Sequence, residues 1–203
     1  MGLMPRWLFV CVFPLLLWAN HAQAQVIEFE SNGLKYQTLT RSGVTVMFAA
    51  MPQNLHEYAT IQVAVSNGSA GSYVIKPEDF SFVRSDGVVL RAVSARTVVT
   101  MLSQKGSAAD VIRLISAYEN AVYGNTRLKS TNGYESRRQA ALAMGSTKLR
   151  AMAAASALAM VQTRLAPGES TDGAVFFVNE GRPLGPGHLV VRTNTDVFDF
   201  TTD

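Results

Sequence analysis

The stretch Pro167-Gly168-Glu169-Ser170-Thr171-Asp172-Gly173-Ala174-Val175-Phe176-Phe177-Val178 decides the predicted fold. Pro167 and Gly168 end the helical pattern that precedes them, because proline cannot continue a helix and glycine tolerates the turn that follows. Residues 174–178 are then apolar at every position, which is typical of a strand covered on both faces. We therefore predict a buried central strand here, with other strands around it.

Short strands are predicted on both sides of this central strand. Between residues 33 and 94, apolar residues recur at every second position, which places each set on one face of a strand. These sets are Val44, Val46 and Phe48; Ile61, Val63 and Val65; Phe80 and Phe82; and Val88 and Leu90. Ser85-Asp86-Gly87 predicts a hairpin, because a tight turn needs positive φ. With later strands near residues 189–191 and 197–200, we expect about seven or eight strands in all.

A helical pattern interrupts the strands from residue 95 to residue 165. Ser107 and Asp110 have the spacing of a capping box, and apolar residues from Val111 to Val122 follow at helical intervals. The alanine-rich residues 135–164 predict one long helix. Its expected packing seam consists of small and apolar residues: Leu142, Gly145, Leu149, Met152, Ser156 and Ala159. The seam is expected to pack on the 111–122 helix or, alternatively, on a second copy of the chain.

These patterns together predict a mainly β fold with a helical insertion. Regularly spaced short strands with turn signals favour an immunoglobulin-like antiparallel β-sandwich. The insertion, residues 95–165, would form an α-helical hairpin. It is too long for a structureless loop, so we expect it to pack on the sandwich.

The first 24 residues have the features of a secretory signal peptide. Arg6 precedes an apolar run from Trp7 to Trp18, and Ala22-Gln23-Ala24 supplies a small-x-small cleavage site. A membrane anchor is the alternative, but a span needs roughly 17–25 residues and this run is shorter. A lipidation site at Cys11 is disfavoured because Val10 is not small. We therefore predict export to the periplasm or beyond, with a single mature domain of residues 25–203 and no transmembrane span.

Composition and charge exclude several classes of protein. The chain is 48% hydrophobic and 16% charged, which excludes a disordered chain, and its one cysteine lies in the predicted signal peptide. Residues 95–166 carry ten basic and three acidic residues, whereas the rest of residues 25–203 carries seven basic and twelve acidic residues. The net charge of residues 25–203 is only +2, and no recognised nucleic-acid motif is present. We expect no nucleic-acid partner.

The basic insertion supplies the candidate interaction surface. This surface is predicted from six basic residues: Arg127, Lys129, Arg137, Arg138, Lys148 and Arg150. They could form a solvated polar face that the acidic sandwich partly neutralises. They could also bind a protein partner or an anionic envelope component, such as lipid headgroups or acidic polymers.

The sequence offers no catalytic or metal-binding constellation. His56 and His188 both lie beside turn or loop residues, and no Gly-x-Ser-x-Gly elbow is present. No histidines or carboxylates have the spacing of metal ligands, and no glycine-rich phosphate loop occurs. We expect a protein that is not an enzyme and needs no cofactor.

The segment from Leu165 to Phe177 resembles a signature of secreted bacterial immunoglobulin-like domains of unknown function. In those domains a Pro-Gly-Glu turn, here Pro167-Gly168-Glu169, precedes a glycine and an apolar central strand. The run from Gly43 to Val93 shares the likeness in looser form. The resemblance implies the sandwich and a non-catalytic role in the envelope. It assigns no functional residue, and the long insertion departs from the family pattern.

The sequence therefore predicts an exported, non-catalytic binding or assembly module of the bacterial cell envelope, with the helical insertion as its interaction surface. The alternative is a peripheral protein that adsorbs to an anionic membrane or cell-surface polymer.

Overall fold

The computed structural model describes residues 25–123 and 133–203. In these two ranges the chain forms eleven strands and four α-helices. The strands are β1 (Ile27–Ser31), β2 (Leu34–Arg41), β3 (Val44–Ala50), β4 (Tyr58–Asn67), β5 (Tyr73–Ile75), β6 (Phe80–Arg84), β7 (Val89–Val93), β8 (Thr163–Leu165), β9 (Ser170–Val178), β10 (Gly187–Arg192) and β11 (Val197–Thr202). The helices are α1 (Ala95–Lys105), α2 (Ala108–Tyr123), α3 (Tyr134–Leu142) and α4 (Thr147–Leu158). The predicted signal peptide lies outside the described residues.

The fold is mainly β, as predicted. Nine strands form one antiparallel sheet in the order β1-β2-β3-β4-β9-β7-β6-β10-β11, and β5 pairs with β8. The predicted number of seven or eight strands was too low. The strand β1 precedes the first alternating set, and β5 and β8, with three residues each, are too short to show a period.

The predicted central strand is β9, which lies between β4 and β7 in the middle of the sheet. Its side chains alternate between two apolar environments. Val175 and Phe177 join the core on the inner face of the sheet. Ala174 and Phe176 pack against the helices on the outer face. Both faces are covered, which explains why the sequence is apolar at consecutive positions.

The sheet curls, so that its inner face encloses the larger core. This core is built from aromatic and β-branched side chains, including Phe80, Phe82, Phe177, Phe198 and Phe200, each no more than 1% exposed. The rings of Phe48 and Phe200 meet edge to face, with centroids 5.0 Å apart. The two outer parts of the sheet also approach each other, because Gln37 Nε2 on β2 donates to the Thr201 carbonyl on β11 at 2.6 Å.

The helical insertion has a different architecture from the predicted hairpin. Its described residues, 95–123 and 133–165, contain four helices, and α4 packs against α1, α2 and α3. The single helix predicted for residues 135–164 is wrong, because α3 ends at Leu142 and α4 begins at Thr147. Gly145 and Ser146 lie between them, and both residue types favour a break over a continuous helix. The predicted end of the first helix, at Gly124-Asn125, lies outside the described residues.

The predicted packing seam is wrong for most of its residues. Leu142, Leu149 and Ser156 are exposed, and Leu142 and Leu149 keep 41% and 48% of their surface in contact with solvent. Ala159 is buried and Met152 packs against the same helical core, as predicted. The buried residues of α4 itself are Ala151, Ala154, Ala155, Ala157 and Leu158. Because alanine is small, the neighbouring helices can pack closely on this face of α4. Leu149, near the beginning of α4, lies away from this face and is exposed to solvent.

The chain passes from α4 to the sheet at a close backbone contact. The amide of Met160 donates to the carbonyl of Ala174 at 2.9 Å. A Cβ atom on the neighbouring Gly173 would lie 2.5 Å from Met160 Cα, inside any real contact distance. Glycine is therefore required at residue 173. A side chain at this position would keep the end of the insertion from lying directly on β9.

Candidate interaction surface

The structure distributes the six candidate basic residues over different environments. Arg127 and Lys129 lie outside the described residues. Arg137 and Arg138 lie on α3, and both are half-buried. The two others, Lys148 and Arg150, lie in the first turns of α4 and are exposed. The predicted surface is therefore not one uniform basic face.

Arg138 has an internal role. Its guanidinium forms an ion pair with Glu119 of α2, and it lies 3.6 Å from the carboxylate of Glu135 one helical turn earlier. Its side chain is only 27% exposed. The charge of Arg138 is thus largely compensated within the helical layer, where it links α3 to α2. Its carboxylate partners lie in the helical insertion itself, not in the acidic sandwich that the solvated-face interpretation invokes.

Lys148 and Arg150 belong to a continuous exposed stretch, residues 142–150, which we call the tip segment. All nine of its residues are exposed. It contains the end of α3, the turn, and the beginning of α4. Arg150 Nε donates to the carbonyl of Met144 at 2.6 Å, which fixes the turn against α4.

The tip segment combines these cations with large apolar side chains. Leu142, Met144 and Leu149 are 41%, 40% and 48% exposed. Single exposed apolar residues are ordinary on protein surfaces, whereas several within one short turn indicate a contact surface. The sequence analysis missed this feature because it assigned Leu142 and Leu149 to the buried seam. The Gly145-Ser146 turn signal could have revealed it.

The surroundings of the tip segment are basic. The sequence has no acidic residue between Glu135 and Glu169. Lys105, the exposed last residue of α1, also lies nearby, because a Cβ atom on the adjacent Gly106 would lie 3.2 Å from the Ala151 Cβ. Lys105, Lys148 and Arg150 therefore add positive charge at this end of the helical layer.

A second polar cluster joins the helical layer to the loop between β3 and β4. The Asp110 carboxylate, in a residue only 1% exposed, lies 3.0 Å from His56 Nε2. The amide and the hydroxyl of Ser107 both donate to the same carboxylate oxygen at 2.8 Å. In return, the Asp110 amide donates to Ser107 Oγ at 3.3 Å, which confirms the predicted capping box.

The electrostatics of this cluster favour an ionised Asp110. Burial raises the pKa of Asp110, but the hydrogen bonds from the Ser107 hydroxyl, His56 and the Ser107 amide outweigh it. The pKa therefore lies below its ordinary value. Sequence reasoning identified the capping box but missed His56, which is 54 positions away and has a φ of +53° that residue patterns do not reveal.

The cluster does not have the geometry of a serine hydrolase. In such a site the histidine lies between serine and aspartate, so that it can take the proton of the hydroxyl. Here the aspartate lies between, and both Ser107 Oγ and His56 Nε2 contact Asp110 Oδ2. The Ser107 hydroxyl, which would be the nucleophile, therefore donates to the carboxylate and not to the histidine that would be its general base. The arrangement fits a structural clasp.

Two further properties concern only the described part of the chain. Within residues 25–123 and 133–203, no three His, Cys, Asp or Glu side chains are grouped so that they could hold a metal ion. In the same ranges no helix has both the length and the apolar character that crossing a membrane requires. The second finding is consistent with the expected lack of a span in residues 25–203.

Comparisons with known proteins do not identify a family. The sequence matches no protein-family model and no curated protein. A search of solved structures found the YjhA protein from Bacillus subtilis, which is 11% identical to this chain. That alignment covers 87% of this chain and 96% of YjhA, with a TM-score of 0.36.

Proposed function

We propose that this chain is an exported, non-catalytic binding or assembly module of the bacterial cell envelope that binds its partner through the tip segment. The observation that carries the proposal is the exposure of Leu142, Met144 and Leu149 beside Lys148 and Arg150. This combination supplies both apolar contact area and charge, the two components of most recognition surfaces.

Energetic considerations support a contact role for these apolar side chains. Each of the three keeps about half of its surface in water, so covering one would contribute about 1 kcal/mol. The buried face of α4, which carries Leu149, is built mainly from alanine. The exposed apolar side chains contribute little to the packing of the helices, so we assign them to contact with a partner.

The scaffold that presents this surface is, in our proposal, an immunoglobulin-like sandwich formed by the curled sheet. The hydrogen bond from Gln37 to the Thr201 carbonyl supports two facing layers. So does the hydrogen bond from Ser42 Oγ to Asp196 Oδ1, at 2.7 Å. Export rests on the sequence of residues 1–24, and N-terminal sequencing of the recovered protein should find Gln25 as its first residue.

The binding role can be tested by crosslinking in the native envelope, followed by mass spectrometry. A variant with Leu142→Ser, Met144→Ser and Leu149→Ser should yield at least about tenfold less crosslinked material. A tenfold loss of affinity corresponds to about 1.4 kcal/mol of binding free energy. The matched control replaces three exposed apolar residues outside the helical insertion, Val88, Val89 and Val197, with serine. If both triple variants recover the same material in the same amounts, the tip segment is not the contact surface.

A further inference from the structure

We infer that the partner of the tip segment is a lipid surface with anionic headgroups, an inference that rests on the binding role proposed above. Leu142, Met144 and Leu149 would enter the headgroup region, while Lys148 and Arg150 face lipid phosphates. The shape of the tip segment, its charge and the charge of the rest of the molecule all favour this partner.

The shape of the tip segment suits a fluid partner. It is a turn between two helices in which nine consecutive residues are exposed. A protein partner would need a concave site that matches this convex turn on several sides. A lipid interface adapts to any convex shape, and apolar side chains at such an interface enter the boundary between headgroups and acyl chains.

The charge of the tip segment specifies the kind of lipid. Lys105, Lys148 and Arg150 are exposed cations at this end of the helical layer, and the sequence contains no acidic residue from residue 136 to residue 168. Clustered basic residues are attracted to anionic leaflets over about one Debye length, about 10 Å at 0.1 M salt. Three partly exposed apolar side chains alone give weak binding, so attachment should need both components.

The charge of the remaining molecule would orient the protein. Outside residues 95–166, residues 25–203 carry seven basic and twelve acidic residues. An anionic surface repels this acidic part and attracts the basic insertion. The helical layer would therefore face the lipid, and the sheet would face away from it.

Co-sedimentation with vesicles tests the inference directly. The full chain is expressed, and the protein is purified after any processing by the cell. It is then mixed with one of two kinds of vesicle: phosphatidylcholine alone, or phosphatidylcholine with roughly one phosphatidylglycerol in three lipids. We expect at least about tenfold stronger binding to the anionic vesicles, and loss of that binding at high salt. The Leu142→Ser, Met144→Ser, Leu149→Ser variant and a Lys148→Glu, Arg150→Glu variant should each bind at least about tenfold more weakly, whereas the Val88, Val89, Val197 control variant should not.

Tryptophan fluorescence supplies a second, local measurement. Both tryptophans of the sequence lie in residues 1–24, so Leu149→Trp and Val89→Trp variants share the same background. On anionic vesicles the emission of Trp at residue 149 should shift to the blue, because the ring leaves water. The emission of Trp at residue 89, on the exposed part of the sheet, should not change.

The outcomes separate this inference from the binding role on which it rests. If anionic vesicles are not bound at low salt while the tip variants still lose envelope crosslinks, the lipid inference is overturned and a protein partner takes its place. If vesicles are bound equally by the tip variants, the tip segment is not the lipid contact and the inference also fails. If neither vesicles nor crosslinks depend on the tip segment, both proposals fail.

Discussion

The inner core of the sheet and the helical layer are packed from different kinds of side chain. The inner core uses large residues, with Phe82, Phe177 and Phe200 at most 1% exposed. The helical layer uses alanine at many of its contacts, including Ala151 and Ala155. Large residues specify the curled sheet, whereas small ones let four short helices approach one another and leave larger apolar residues available at the surface.

Strand β9 contacts both regions and so allows a direct comparison. Its residues alternate between the inner core and the helical layer, and Val178, at its end, is 45% exposed. If the inner core determines most of the stability, the most costly substitutions should be those that remove large side chains from it.

The largest effect is expected for Phe177→Ala. The side chain is fully buried in the middle of the sheet, so its removal leaves a cavity and should lower the free energy of unfolding by about 3–5 kcal/mol. The adjacent Val178→Ala is the control and should change it by no more than about 0.5 kcal/mol. Denaturant unfolding measures both. Similar losses for the two variants would contradict the assignment of the inner core.

The strands were predictable because their side chains alternate with a period of two. Val44, Val46 and Phe48 are buried on one face as predicted. The hairpin at Ser85-Asp86-Gly87 also occurs as predicted, with Gly87 at a φ of +85°. In a strand a shift by one residue moves every side chain to the other face. The alternating pattern therefore determines which side chains of the strand are buried.

The helical layer was less predictable because several faces of a helix are compatible with the same sequence. Leu142 and Leu149 have the spacing of a seam, but the neighbouring helices pack on the alanine face instead. The ion pair of Arg138 with Glu119 is equally invisible from the sequence, since it depends on how α3 lies against α2. Lys148 and Arg150 are exposed, and their role in an interaction surface stays a proposal.

An intermediate effect is expected for Asp110→Asn, which affects the junction of the two regions. The native carboxylate accepts hydrogen bonds from Ser107 and contacts His56, so the substitution should cost about 1–3 kcal/mol at neutral pH. The pKa of Asp110 is lowered in the folded state. The ionised Asp110 carboxylate therefore contributes its full stabilisation of the folded state above the ordinary aspartate pKa, about 3.9. This stabilisation is lost as the pH falls through the lower pKa of the folded state.

The exposed pair of His188 and Asp199 is the matched control for this prediction. Its two side chains lie 3.1 Å apart but are 51% and 56% exposed. Asp199→Asn should therefore change the free energy of unfolding by less than about 0.5 kcal/mol. Unfolding curves measured from acid to neutral pH give both values. An equal cost for the two substitutions would show that burial of Asp110 does not strengthen its contacts.

The smallest effect on stability is expected for Leu149→Ser, and this variant separates the predicted seam from the observed one. Leu149 and Leu158 lie on the same helix, but they are 48% and 2% exposed. Leu149→Ser should change the free energy of unfolding by no more than about 0.5 kcal/mol, whereas Leu158→Ser should lower it by several kcal/mol, about 2–5. Thermal or denaturant unfolding of the two variants decides the question. If Leu149 proved as costly to replace as Leu158, it would be part of the packing of the helical layer. The exposed leucines would then be explained by folding alone, and they would no longer support a binding role for the tip segment.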